Sequence, residues 1–220
     1  IIRLILPVVP ISACMWAERN SVGLLNNIQL GYAGSLILSI IILDLVIYWQ
    51  HRFFHQINFF WKFHRVHHSD LELDVSSGLR FHPIEIALSS IIKIIIGVSI
   101  GAPPLSVLVF EIILNASSMF NHANLSLSER LDKRLKILIV TPDMHRIHHS
   151  VLDEEIKTNF GFNISLWDKL FQTYKDKPNS GHLKMKIGVH EFRDHRAIHV
   201  QSLIAQPFLN SDINQKKRRG

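Results

Sequence analysis

The chain is short of sulfur. One cysteine, Cys14, stands among 220 residues, which excludes an internal disulfide and fits a site on the reducing side of a membrane. No Gly-x-Gly-x-x-Gly fingerprint is present to bind a dinucleotide. No Gly-x-Ser-x-Gly elbow marks a hydrolase. The Glu-x2-His motif of soluble di-iron bundles is missing. His190-Glu191 is followed by Asp194 where a zinc protease places its second histidine. Nor is there a basic stripe interleaved with aromatics, so the net charge of +6 points to anionic lipid headgroups rather than nucleic acid. Linkers and low-complexity stretches are absent too, and residues 1–220 read as a single domain.

What the chain does have is histidine, 14 in all, and most of it is clustered. The clusters are His51-x3-His55, His64-x2-His67-His68 and His145-x2-His148-His149. On a helix, residues three and four apart share a face, so each cluster can aim its imidazoles at a common point. The hexads at residues 64–69 and 145–150 match except for Val66 against Ile147. Two matching half-sites imply two metal ions. The ligand count agrees, because a single tetrahedral or catalytic ion uses about three or four protein ligands. With His122 added, the expected ligands are His51, His55, His64, His67, His68, His122, His145, His148 and His149. No catalytic residue is expected beyond the metal centre.

Long apolar runs surround these clusters in a chain that is 47% hydrophobic. Residues 31–49 are long enough to cross a hydrocarbon core of roughly 30 Å. Residues 84–100 and 104–119 read as a helical hairpin turned at Gly101-Ala102-Pro103-Pro104. Lys93, Glu111 and Asn115 inside it call for partial burial in protein. Core helices of a soluble protein are the plainer reading of runs this short. Residues 1–16 are apolar as well, but Pro7 and Pro10 interrupt them, and the chain is expected to lack its natural start.

The first span runs directly into His51, and the hairpin leaves after His82 and returns before His122. All histidine clusters therefore emerge on one membrane face. Lys62, Arg65, Lys133, Arg134, Lys136 and Arg146 share it, which makes that face cytoplasmic. Residues 158–171 look like a compact cap over the site, Glu191 to Phe208 like an amphipathic helix, and Gln215-Lys216-Lys217-Arg218-Arg219 like a solvated tail. The expected fold is thus all-α: an integral, multi-pass membrane protein whose cytosolic histidine-rich helical cap (residues 150–208, after boxes within 44–149) holds a dinuclear metal site.

Several neighbours carry two readings each. His82 is a tenth ligand, a partner of a ligand, or a helix cap ahead of Pro83. Asp44 accepts an N–H from a ligand imidazole or pairs with Arg52, and Glu85 and Asp168 carry the same two readings. Asn121 and Asn124 hydrogen-bond beside His122, or Asn124 caps a helix end. Phe53, Phe54, Phe59, Phe60 and Trp61 line a groove or anchor the chain at the interface.

From Asp44 to Phe208 the chain resembles the fatty acid hydroxylase/sterol desaturase superfamily. The residues that carry the likeness are Asp44-x3-Tyr48-Trp49-x-His51-Arg52-x2-His55, Trp61-x2-His64-x2-His67-His68 and Arg80-x-His82-Pro83-x-Glu85. Further along come Asn121-His122-Ala123-Asn124, Thr141-Pro142-x2-His145-x2-His148-His149, Asn159-Phe160-Gly161 and Trp167-Asp168-x-Leu170-Phe171-x-Thr173-Tyr174. The resemblance implies two iron ions that activate O2, as co-substrate, to hydroxylate or desaturate a lipid C–H bond. It also implies electrons from an external reductase through a separate electron-transfer protein. Imidazole suits several metals, so iron comes from the resemblance and not from spacing. A second function class is a histidine-rich membrane metal-binding or transport protein without oxygenase activity, which would want its histidines strung along the spans.

Overall fold

The computed structural model describes residues 8–194 and 199–209, so Pro7 and the basic run at 215–219 lie outside the described residues. Among the described residues all regular structure is helical, and β-type pairing is limited to isolated bridges, Ile139 with Ile164 and Ser150 with Ile187. The first helix, α1 (Val8–Arg19), runs through Pro10. That proline sits in the first turn, where a missing backbone N–H leaves no helical bond unmade.

Helix α2 (Tyr32–Gln56) has 25 residues, about 37 Å at 1.5 Å per residue. It extends past Trp49 and so carries His51 and His55 on its last turns. After one extended residue, Ile57, the chain re-enters a helix as α3 (Asn58–His68). The hairpin forms as α4 (Pro83–Ile100) and α5 (Pro104–His122). A proline opens each at the position where its fixed φ suits a helix. Gly101, left-handed at φ 67°, closes α4 by donating its N–H to Gly97 and Val98 carbonyls.

Helices α2, α4 and α5 are long and apolar enough to cross a membrane. Outward-facing Ile37, Ile91, Ile95 and Ile112 are each more than half exposed, at 58, 51, 57 and 60%. Such a surface is costly in water and favourable in lipid. Facing inward, Leu43, Ile47, Val107 and Phe110 pack with Cys14 of α1 into one core. Lys93 of α4 and Glu111 of α5 form a buried ion pair across the hairpin. This is the partial burial their charges demand.

The end of α2, the start of α4 and the end of α5 meet at one side of this bundle. There the chain builds a cap from α3, a 3-10 turn (Ser77–Leu79), α6 (Glu129–Leu135), α7 (Pro142–His148), α8 (Asp153–Ile156) and α9 (Leu166–Leu170). Ser128 caps α6 and Thr141 caps α7, each side chain accepting a backbone N–H three residues on. The Thr141 hydroxyl donates in turn to Asp132, 2.6 Å away, tying the two helices together.

Two expectations need correction. Residues 191–194 are not helical, and the helix described in that region is α10 (Val200–Ala205), followed by a 3-10 turn (Gln206–Phe208). A lone glutamine and serine among apolar residues gave too weak a periodicity to fix its length. Of the six cations counted toward the membrane face of the histidine clusters, Arg65 and Lys136 are buried and so do not present free charge to it. Arg65 donates to the Gln206 and Leu209 carbonyls, and Lys136 pairs with Asp132.

Candidate metal centre

The nine expected histidines gather into two adjoining sets. His51, His55, His64, His68 and His148 form one, and His67, His122, His145 and His149 the other; within each set the ligand atoms all lie within 4.8 Å of one another. All nine are buried. The His68 and His149 rings stack at 4.3 Å between centroids, so the sets share a wall. The duplicated hexads do not each make a half-site, as the sequence had implied. Each feeds both sets: His64 and His68 go to one and His67 to the other, while His145 and His149 pair off against His148. Helical geometry explains the exchange. Residues four apart nearly superpose on the helix face, whereas consecutive residues point about 100° apart.

Hydrogen bonds fix which ring nitrogen carries the proton. His51 Nδ1 lies 2.7 Å from the Phe160 carbonyl, and His148 Nδ1 2.7 Å from that of Thr158. His67 Nδ1 lies 3.1 Å from the Arg80 carbonyl and His122 Nδ1 2.6 Å from that of Ser118. A carbonyl oxygen can only accept, so each Nδ1 bears the hydrogen and each Nε2 offers a lone pair. His67 Nε2 and His122 Nε2 then face each other at 3.1 Å with no proton between them. Two opposed lone pairs at that separation repel, and a cation between them makes the arrangement favourable.

The other spacings agree. His122 Nε2 is 3.0 Å from His145 Nε2 and 3.1 Å from His149 Nε2, and the latter two are 3.2 Å apart. Four nitrogens bound tetrahedrally at 2.0–2.1 Å would sit roughly 3.3 Å from one another. In the five-histidine set, Nε2 of His51, His55, His64 and His148 is buried without a hydrogen-bond partner, a costly state unless a metal takes the lone pair. The donor sets therefore fit metal ions. Burial, reinforced by the neighbouring imidazoles, pushes His67, His68, His145 and His149 well below the usual histidine range, and burial pushes His148 down to about 3. These rings stay neutral, which is the form that binds metal.

The supporting contacts rearrange the roles expected from the sequence. Glu85 holds a member of the five-histidine set: its Oε1 lies 2.7 Å from His64 Nδ1, with both groups buried. A carboxylate there orients the imidazole and raises its basicity. Asp44 touches no ligand and does not pair with Arg52. It accepts from Asn163 Nδ2 at 2.6 Å and Trp167 Nε1 at 2.7 Å, pinning the cap onto α2. Asp168 is structural, accepting the Phe160 and Gly161 N–H groups, each at 2.8 Å, and the Thr173 hydroxyl at 2.7 Å. Burial raises its carboxyl to about 6.

Asn121 reaches the Phe162 carbonyl rather than a histidine. Asn124 is exposed, away from both sets, and caps neither α5 nor α6. His82 joins neither set; its Nδ1 accepts the Ile84 N–H and caps α4. Residues 158–163 do lie over the site as expected, but the role of their backbone carbonyls is not visible in the sequence. Those at 158 and 160 orient two ligands, and Asn159, left-handed at φ 54°, ties the loop to Met144 and Lys175 carbonyls at 2.9 Å. An asparagine before a glycine-containing turn was the available signal, since asparagine tolerates that conformation.

Two clefts reach the five-histidine set. An inner one of about 770 Å³, partly open to the outside, descends between α2, α4 and α5 from His51 and His64; Phe54, Phe81, Leu114 and Phe162 line it beside Glu85. An outer one runs over the cap to His55, between Trp61 and Lys157. Neither includes a member of the four-histidine set. Phe53 and Phe59 are exposed near the cap, and Phe54 alone of the five expected aromatics lines the inner cleft.

The model of the fatty acid hydroxylase family matches residues 36–173. The ornithine lipid hydroxylase OlsE of Rhizobium tropici is 31% identical over 150 residues, 66% of this chain and 43% of that protein. The alkylglycerol monooxygenase of Homo sapiens is 30% identical over 132 residues, 60% of this chain and 28% of that protein. The Danio rerio alkylglycerol monooxygenase is 32% identical over 131 residues, again 60% of this chain and 28% of that protein. The chain thus spans less than half the length of these relatives. No solved structure matches it.

Proposed function

Because the chain belongs to the fatty acid hydroxylase family, we propose that it is a membrane-bound non-haem di-iron oxygenase that hydroxylates or desaturates a lipid C–H bond. The observation that carries this reading is the facing pair of His67 and His122 lone pairs, together with the unpartnered Nε2 atoms of the five-histidine set. Nine buried imidazoles gathered at one end of the spans favour a resident centre over a transport path. When bound, the iron pair supplies O2 activation, with electrons delivered by a separate reductase and carrier. The ligands would be His51, His55, His64, His68 and His148 for one iron, and His67, His122, His145 and His149 for the other.

The chain's own residues do the rest. Carbonyls at 158 and 160 and the Glu85 carboxylate hold ligand rings in place before any substrate arrives. Phe54, Phe81, Leu114 and Phe162 give the inner cleft an apolar surface that shields the reacting carbon from water. We place residues 1–220 in one domain with several membrane passes. The metal-bearing side is assigned to the cytoplasm, because exposed Lys62, Lys133 and Arg134 crowd it.

Protein purified into lipid nanodiscs without chelator tests the reading. Two irons per chain, and O2- and reductase-dependent products heavier by one oxygen or lighter by two hydrogens, are expected. One metal or none per chain, or lipids unchanged with both irons bound, would overturn it.

A further inference from the structure

The inner cleft is unusual for a space between membrane-spanning helices, because its deep end is polar. Lys93 and Glu111, 8% and 5% exposed, line it as a buried ion pair, with Ser90 beside them. An ammonium carries three donors, and Lys93 directs one of them to Glu111. Three further polar atoms of the same cleft are buried without a hydrogen-bond partner: Ser90 Oγ, Gln50 Oε1 and Glu85 Oε2. Buried polar atoms in native proteins find partners, and ionisable groups inside a membrane mark function more often than scaffolding. A bare hydrocarbon chain laid along this cleft would leave those three atoms, and the remaining donors of Lys93, without a partner.

We propose that the Lys93–Glu111 pair and Ser90 form a recognition subsite for a hydrogen-bonding substituent, a hydroxyl or an amide, on the lipid substrate. Ser90 and Lys93 lie five and eight residues beyond Glu85, roughly 7 to 12 Å along the helix axis, so the substituent is held about two turns away from the metal end of the cleft. The two ends of the cleft then divide the work: His51 and His64 face the reacting carbon, and the ion pair sets the register of the chain. This rests on the proposed lipid oxidation for its biological meaning, but the subsite can be measured by binding alone.

The test compares oleic acid with ricinoleic acid, which adds a mid-chain hydroxyl, bound to the metal-loaded protein in nanodiscs. Ricinoleic acid should bind roughly tenfold tighter, the value of one net hydrogen bond. In the double variant Lys93→Met/Glu111→Leu, which removes the pair together and leaves no lone buried charge, the two acids should bind equally. Metal content checks that the variant folds, and Ser90→Ala, a smaller change, should narrow the preference severalfold if the double variant does not fold. Equal binding to the wild-type protein, the result of a cleft that simply holds water, overturns the proposal. So does a preference that survives both variants, the result of a purely structural clasp. A binding preference without turnover of either acid or of native lipid keeps the subsite and removes the oxygenase reading. Turnover with no binding preference does the reverse.

Discussion

The two histidine sets both draw on the same repeated hexad, yet their surroundings differ. The five-histidine set borders both clefts through His51, His64 and His55, and a carboxylate holds one of its rings. The four-histidine set touches neither cleft, and the ring nitrogens of His67 and His122 are held by backbone carbonyls of the 3-10 turn region and α5. Four nitrogens close a tetrahedron, whereas access from two sides suits an ion that must meet substrate and O2. A duplicated motif has thus been placed in two environments, one open and one closed. The environment, rather than the motif, assigns the role.

The comparison breaks most directly at the ligands. His148→Ala should remove the metal of the five-histidine set and His149→Ala that of the four-histidine set, each leaving close to one iron per chain. Either change should lower lipid turnover by at least about 100-fold, the upper end of what loss of a ligand's supporting partner costs. Iron counting on the two variants side by side checks it. If either variant loses both irons, the sets are one cooperative unit and the distinction between open and closed fails.

A smaller effect is expected at Glu85. Glu85→Gln keeps the shape and a weaker hydrogen-bond partner for His64 but removes the charge. Iron affinity should fall about 10- to 100-fold at the five-histidine set, with the four-histidine iron retained through a chelator challenge. Equal loss from both sets would mean that Glu85 supports the fold of the cap rather than one ligand.

Much of this arrangement was legible in the sequence. Spacing of three and four picks out eight of the nine histidines that the fold gathers, because helix periodicity is local, and the two prolines and Gly101 place the hairpin within a few residues. His122 was reachable from its place at the end of an apolar run. The partition of ligands was not legible. Whether His67 and His68 serve one ion or two depends on where α5 and α7 approach α3, a tertiary fact. The two readings left open for each carboxylate could not be separated from the sequence for a related reason. Asp44 lies on the same helix as His51, so it looked like a ligand's partner, while Glu85 lies 21 residues from His64 and reaches it across the bundle. A carboxylate on the same helix must be three or four residues away to reach an imidazole, and Asp44, seven residues from His51, shares its face but sits about 10.5 Å along the axis from it. Asn163 and Trp167, more than a hundred residues on, take its oxygens instead.

That displacement gives the mildest and most selective test of the two-environment picture. Asp44 holds the segment following the loop whose carbonyls orient His51 and His148, and both of those rings belong to the five-histidine set. Asp44→Asn leaves one acceptor oxygen where two charged ones stood, weakening its bonds to Asn163 and Trp167 by about 1–2 kcal/mol. The cap should loosen without unfolding, so hydrogen exchange should quicken across residues 158–168 while α4 and α5 keep their protection. Iron should leave the five-histidine set several times faster under chelator, and the four-histidine set, whose ring contacts to Ser118 and Arg80 lie on other elements, should release its iron at the wild-type rate. A uniform rise in both release rates would show that the cap and the closed set move together, and would place the boundary between the two environments elsewhere than at the wall of His68 and His149.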